Sequence, residues 1–201
     1  MALIHQTTLK PTKLELLTDW LPTRPWFAGE AARVPELAKV GGFRLDDPEG
    51  EVGIEFMVVT DTSGEHPVTY HVPLSYRGAP LDGAEDGLIT TLEHGVLGTR
   101  WVYDGSRDPV VLAQVLALLQ GRTEAQAQSE TDTPDPSVVA HCDGPVLGTG
   151  VGVGVGVGVA SLSASDTADG TVIAVRTAAG PGGPAGVELW ISRVLVPLSL
   201  I

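Results

Sequence analysis

Five groups of residues have types and spacing that could support chemistry. Trp20, Arg24 and Trp26, in "WLPTRPWFAGE", place two indoles and a guanidinium within seven positions. That is the composition of a stacked cation–π platform for a sugar or a protein partner. The same residues could instead staple a helix end, with the indoles closing the core, and this second reading is preferred. Gly148 to Gly158 is glycine-rich, but it lacks the Lys-Ser/Thr ending of a phosphate-binding loop, and no helix follows to present its N-terminus. His141, Cys142 and Asp143 are adjacent, and neighbours in a strand point to opposite faces, so they make a poor reactive set. His66 and His71 are separated by an odd number and fall on opposite faces for the same reason. Asp46, Asp47, Glu49 and Glu51 lack the calcium-loop spacing and read as a solvated hairpin tip. The metal and hydrolase motifs HExxH, CxxC and GxSxG do not occur. The residues therefore assign no catalytic, cofactor-binding or metal-binding group, and they leave Trp20, Arg24 and Trp26 as the candidate ligand or partner surface.

These residues must be positioned by regular elements. "ALIHQTTL" (2–9) alternates as a strand. Thr12 with Glu15 three residues later is a capping box, and Leu14, Leu17 and Leu21 share a helical face widened by Leu16 and Trp20. Pro22 is expected to stop that helix. Strands follow at 52–60 and 68–76, joined by "DTSGEHP" as a hairpin. In the second, Val68, Tyr70, Val72, Leu74 and Tyr76 share a face, and Pro73 suggests an edge strand or a bulge. "DGAEDG" (82–87) is an acidic turn, and "LITTLEH" and "GTRWVYD" are extended. Asp108 and Pro109 open a second helix whose stripe is Leu112, Val115, Leu116 and Leu119, and Gly121 ends it. Residues 122–137 are polar and turn-rich, a linker or a long surface loop. Beyond them glycine and valine alternate from Gly150 to Val159, and "GTVIAVRTAA" and "VELWISRVLVP" read as strands.

Composition bounds the function. Of 201 residues 43% are apolar, enough for a core, and 25 Gly and 15 Pro favour strands and turns. The net charge is −13, with 9 basic and 17 acidic residues up to residue 121 and 3 and 8 beyond it. Neither part is basic, so nucleic acid and anionic membrane are excluded as partners. No apolar run is long enough for a spanning helix and the N-terminus does not read as a signal peptide, so a cytoplasmic protein is expected. A lone cysteine, Cys142, excludes an internal disulfide framework.

Two stretches carry a resemblance. "LKPTKLELLTDWLPTRPWFAG" and "WVYDGSRDPVVLAQVLALLQG", with the hairpin between them, resemble the N-terminal cap domain of actinobacterial maltokinases over residues 1–121. The chain is also similar to a group of stand-alone actinobacterial proteins of about this length built on the same cap and often called 1,4-alpha-glucan branching or maltokinase-cap proteins. The resemblance implies a curved, mainly antiparallel α+β sheet with a few packed helices, in which the Trp–Pro–Arg–Pro–Trp turn packs the cap helix onto the sheet. A small β-rich region, 138–201, follows. Its glycine-rich stretch and strands have the outline of a degenerate kinase N-lobe, with Arg176 where a nucleotide-binding lysine is sought. No HGD-like catalytic loop and no later metal-binding aspartate is present, so phosphoryl transfer has no visible route. The expectation is a non-catalytic accessory or binding module of α-glucan, maltose or trehalose metabolism, without a cofactor, docking on a sugar kinase or a glucan- or trehalose-pathway enzyme. The alternatives are one half of a split ATP-dependent sugar kinase, or a structural or regulatory protein with no carbohydrate link.

Overall fold

The computed structural model describes residues 9–24, 27–30, 33–119, 121–142, 159–167, 170–177 and 188–193. The expected strand at 2–9 except for Leu9, Trp26, the Gly-Val tract up to Gly158 and the segment 180–186 between the last two expected strands lie outside these residues. β1 (Leu9–Lys10), β2 (Leu37–Leu45), β3 (Gly53–Asp61), β4 (Val68–Arg77), β5 (Leu88–His94) and β6 (Gly98–Asp104) form one curled antiparallel sheet in the order β1-β5-β6-β4-β3-β2. Two helices, α1 (Lys13–Trp20) and α2 (Pro109–Leu119), complete an α+β unit.

The sheet is buried on both faces, and the continuous apolar run of β3 is the reason. Ile54 and Phe56 point to one side, where they meet Phe43 and Leu45 of β2 and Val111, Val115 and Leu118 of α2. Met57 and Val59 point to the other, where they meet Tyr70, Val72 and Leu74 of β4, Leu92, Val102 and Leu16, Leu17, Trp20 and Leu21. A strand covered on both faces reads as an unbroken apolar stretch rather than an alternation.

Both helices begin as local chemistry dictates. Thr12 Oγ1 accepts from Glu15 N–H (3.3 Å), while Glu15 Oε2 accepts from Thr12 N–H (2.8 Å). Pro22 stops α1 as expected, since the α-helix ends at Trp20 with Leu21 as its C-cap. It sits in the opening positions of a 3-10 turn, Leu21–Thr23, where a missing N–H costs nothing, and Arg24 N–H closes the turn on Leu21 O (2.9 Å). Asp108 caps α2 through Val110 N–H (2.9 Å). At the other end Gly121 takes φ +65°, with Gly121 N–H on Leu118 O and Arg122 N–H on Ala117 O, the paired bonds of a Schellman ending. The buried stripe of α2 is Val111, Val115 and Leu118, rotated from the one expected, and Leu112 and Leu116 are only half-buried. Nearly every position of "PVVLAQVLALL" is apolar, so periodicity could not select the inward face.

Pro73 needs a second correction. β4 is an interior strand, yet its ladder with β6 covers only Leu74–Arg77, whereas its ladder with β3 spans all of Val68–Asp61 to Tyr76–Gly53. Pro73 lies one residue outside the β6 ladder, so its missing N–H removes no bond on that side. Asp47 corrects a third expectation. It is buried, not solvated, and accepts from Glu49, Glu51 and Val52 N–H at 3.1, 2.9 and 2.9 Å, so it organises the β2–β3 turn from within.

Residues 121–137 lie along β2. Arg44 and Gln126 exchange backbone bonds of 2.8 and 2.9 Å, Ala125 is buried beside Phe43 and Phe56, and Gln128 passes over Gly42 to reach Glu55 Oε1 (2.9 Å). Gly42 permits this crossing. It follows a register shift between Lys39 and Gly41 and takes φ +141°, and a Cβ there would collide with Phe56 O and the Gln128 amide. Gly42→Ala is expected to cost about 1–3 kcal/mol in urea unfolding, since it combines a disfavoured backbone angle with loss of that contact.

The remaining strands, β7 (Val138–Cys142), β8 (Val159–Thr167), β9 (Gly170–Thr177) and β10 (Glu188–Arg193), pair antiparallel in the order β7-β10-β9-β8. Arg176 stands in register opposite Glu188 on β10 and Ser161 on β8.

Candidate functional site

The tryptophan turn is built from the end of α1 outward. Trp20 closes the last turn of the helix and is 9% exposed; Leu17 is fully buried. The Thr23 hydroxyl donates to Trp20 O (2.6 Å) and accepts from Arg24 Nε (3.0 Å) and Nη2 (2.8 Å). This fork holds the Arg24 guanidinium 5.0 Å from the centre of the Trp20 ring. Farther along, Phe27 stacks on Tyr70 at 5.6 Å, and Ala28 N–H donates to Tyr70 Oη (3.2 Å). Trp20 and Arg24 are therefore brought together as expected from sequence, with Trp20 mainly a core residue. Trp26 lies outside the described residues.

Beside this pair runs a groove of about 480 Å³ between α1 and β5. Pro11, Leu16 and Trp20 line one side, Leu88, Ile89 and Thr90 the other, and Asp19, Thr23 and Arg24 stand at its polar margin. Asp19 is exposed, and among the described residues its carboxylate has no hydrogen-bond or ion-pair partner.

Two buried polar arrangements were invisible in the sequence. Glu55, 4% exposed, accepts from Lys13 Nζ, Tyr76 Oη (2.9 Å) and Gln128 Nε2 (2.9 Å), and Lys13 Nζ stands 2.6 Å from its second oxygen. Burial, then the neighbouring carboxylate, pushes the Tyr76 hydroxyl well above its ordinary value and keeps it a donor. Asp108, fully buried, receives Arg77 Nε and Nη2 in a two-pronged pair, both at 2.7 Å. Burial alone would raise the Asp108 carboxyl, but the Arg77 bonds and the Val110 N–H outweigh it and hold it below its usual value. His71 sits in an aromatic stack, 6.0 Å from Phe43 and 5.7 Å from Phe56. His66 lies in the exposed turn before β4. Among the described residues there is no cluster of three or more metal-ligating side chains, and no helix is long and apolar enough to cross a membrane.

The six-stranded antiparallel sheet carries a helix on each face, with Trp20 packed between α1 and the sheet. Residues 20–108 match the family model of the maltokinase N-terminal cap domain. The match starts at Trp20 and ends at Asp108, so it is narrower than the resemblance over 1–121 and leaves out most of α1 and all of α2. No curated protein matches the chain.

Proposed function

We propose that this protein is a non-catalytic accessory module of α-glucan, maltose or trehalose metabolism. It acts by docking on a sugar kinase or a glucan- or trehalose-pathway enzyme, with the surface around Trp20, Arg24 and Trp26 as the contact. The match of residues 20–108 to the maltokinase cap carries this reading. The organisation that goes with it is a cap-like unit up to about Gly121, the polar segment 122–137 and a β-rich region from 138. A split kinase is the second reading, favoured by a glycine-rich tract between strands in the last third. The strand order weighs against it: β7 and β8, which that tract joins, stand at opposite edges of their sheet, whereas a phosphate-covering hairpin loop joins neighbours.

A coupled ADP-release assay with Mg²⁺, ATP and a panel of sugars tests the choice. No sugar-dependent release by the purified chain is expected. Turnover at ordinary kinase rates, about 1 per second or faster, would overturn the accessory reading. Calorimetry against a maltokinase from the same genome should show a saturable complex that Arg24→Ala weakens, and the absence of any complex with that enzyme or with the glucan and trehalose enzymes counts against docking.

A further inference from the structure

We propose that the groove between α1 and β5 binds a neutral sugar of one to three units, held by Asp19, Arg24 and Thr90 over an apolar floor of Leu16, Trp20 and Ile89. This deepens the accessory-module reading and rests on it for its setting. The groove's volume of about 480 Å³ falls among ordinary small-ligand sites. Its chemistry is mixed in a particular way. Asp19 can only accept, Arg24 can only donate, and Thr90, whose hydroxyl donates to Thr91 O (3.2 Å), accepts with its oxygen and can turn its proton to a ligand only by giving up that bond. Sugar hydroxyls are donors and acceptors at once, so they satisfy such a set, while the C–H face of the ring lies on the apolar floor.

Charge narrows the choice further. Asp19 has no partner among the described residues and stands in a chain of net charge −13, which repels a phosphorylated ligand. Arg24 stands on the same margin and disfavours a cation. A neutral ligand escapes both. The site is also prepared in advance, since Thr23 fixes Arg24 in place through two bonds and the indole beneath it is locked in the core. Ordering costs on binding are thereby reduced.

The experiment is calorimetry and amide-shift mapping of the full chain with maltotriose, trehalose and glucose as neutral probes, and glucose 6-phosphate as the charged control. Saturable binding of at least one neutral sugar is expected, with shifts at residues 19–24 and 88–90. Asp19→Ala and Thr90→Val, both away from the core, are each expected to weaken it about tenfold while thermal melting stays near that of the parent. Three results would overturn the proposal: no saturation by any neutral sugar up to about 10 mM, binding that the two variants leave unchanged, or tighter binding of the phosphorylated control. The titration contains no partner enzyme, so its failure leaves docking untouched, and a failed docking experiment leaves sugar binding measurable.

Discussion

Arg77→Ala is expected to destabilise the protein by about 3–5 kcal/mol at neutral pH, the range for removing one partner of a buried ion pair. The carboxylate left behind is Asp108, which has no exposure and also caps α2. Losing Arg77 therefore strands a charge in the interior at the start of the helix that closes one face of the sheet. The pH dependence gives a sharper signature than the magnitude. In the parent, Asp108 has a folded value below its unfolded one of about 3.9, so it stabilises the fold above that pH and loses this contribution as the pH falls through the folded value. In the variant the Val110 N–H bond remains but both Arg77 bonds are gone, so burial, the largest influence, lifts the folded value above the parent's and makes the charged form the costlier one. The deficit should then be largest near pH 7 and shrink as acid protonates Asp108. Urea unfolding at pH 7 and pH 4.5 measures both. A deficit that grows on acidification would refute the assignment.

Trp20→Ala should also cost about 3–5 kcal/mol, as expected for a large aromatic removed from a packed core. Trp20 belongs to the cluster of Leu17, Leu21, Met57, Val59 and Tyr70, so the truncation opens a cavity between α1 and the sheet. It also removes the ring over which Arg24 is held. Denaturant unfolding monitored by circular dichroism gives the value. An unchanged midpoint would mean that the indole serves a ligand rather than the core.

What the sequence disclosed was local. The capping box of Thr12 and Glu15, the Asp108–Pro109 start and the Gly121 ending each depend on residues within a turn of one another, and each is present in the structure. The β3–β4 hairpin was legible because its strands are uninterrupted and its turn is polar. β2 escaped notice because the register shift between Lys39 and Gly41, followed by two glycines, breaks its alternation. Arg77 with Asp108, and Lys13 with Glu55, are 31 and 42 positions apart, and no pattern in one dimension marks such pairs. Asp47 sat in a run of acids that suggested solvent, yet its bonds to three backbone N–H groups required burial. Of the candidate surface, Trp20 and Arg24 were foreseeable from spacing. Their groove was not, because Leu88, Ile89 and Thr90 reach it only through the pairing of β5 in the sheet.

The segment that crosses β2 joins residues far apart in the chain: Gln126 bonds to Arg44, and Gln128 to Glu55, 73 positions away. Contacts of such long range close late, because the loop entropy must be met before they form. During synthesis β2 would leave the ribosome well before residues 125–128, and for that interval its outer edge stands uncovered. An uncovered edge is a template for pairing with other chains, and Val40, 52% exposed, adds an apolar side chain to it. The irregularity between Lys39 and Gly41, with the Lys39 charge beside it, then matters before the fold is complete. Both spoil the edge as a template while the chain that will cover it is still being made.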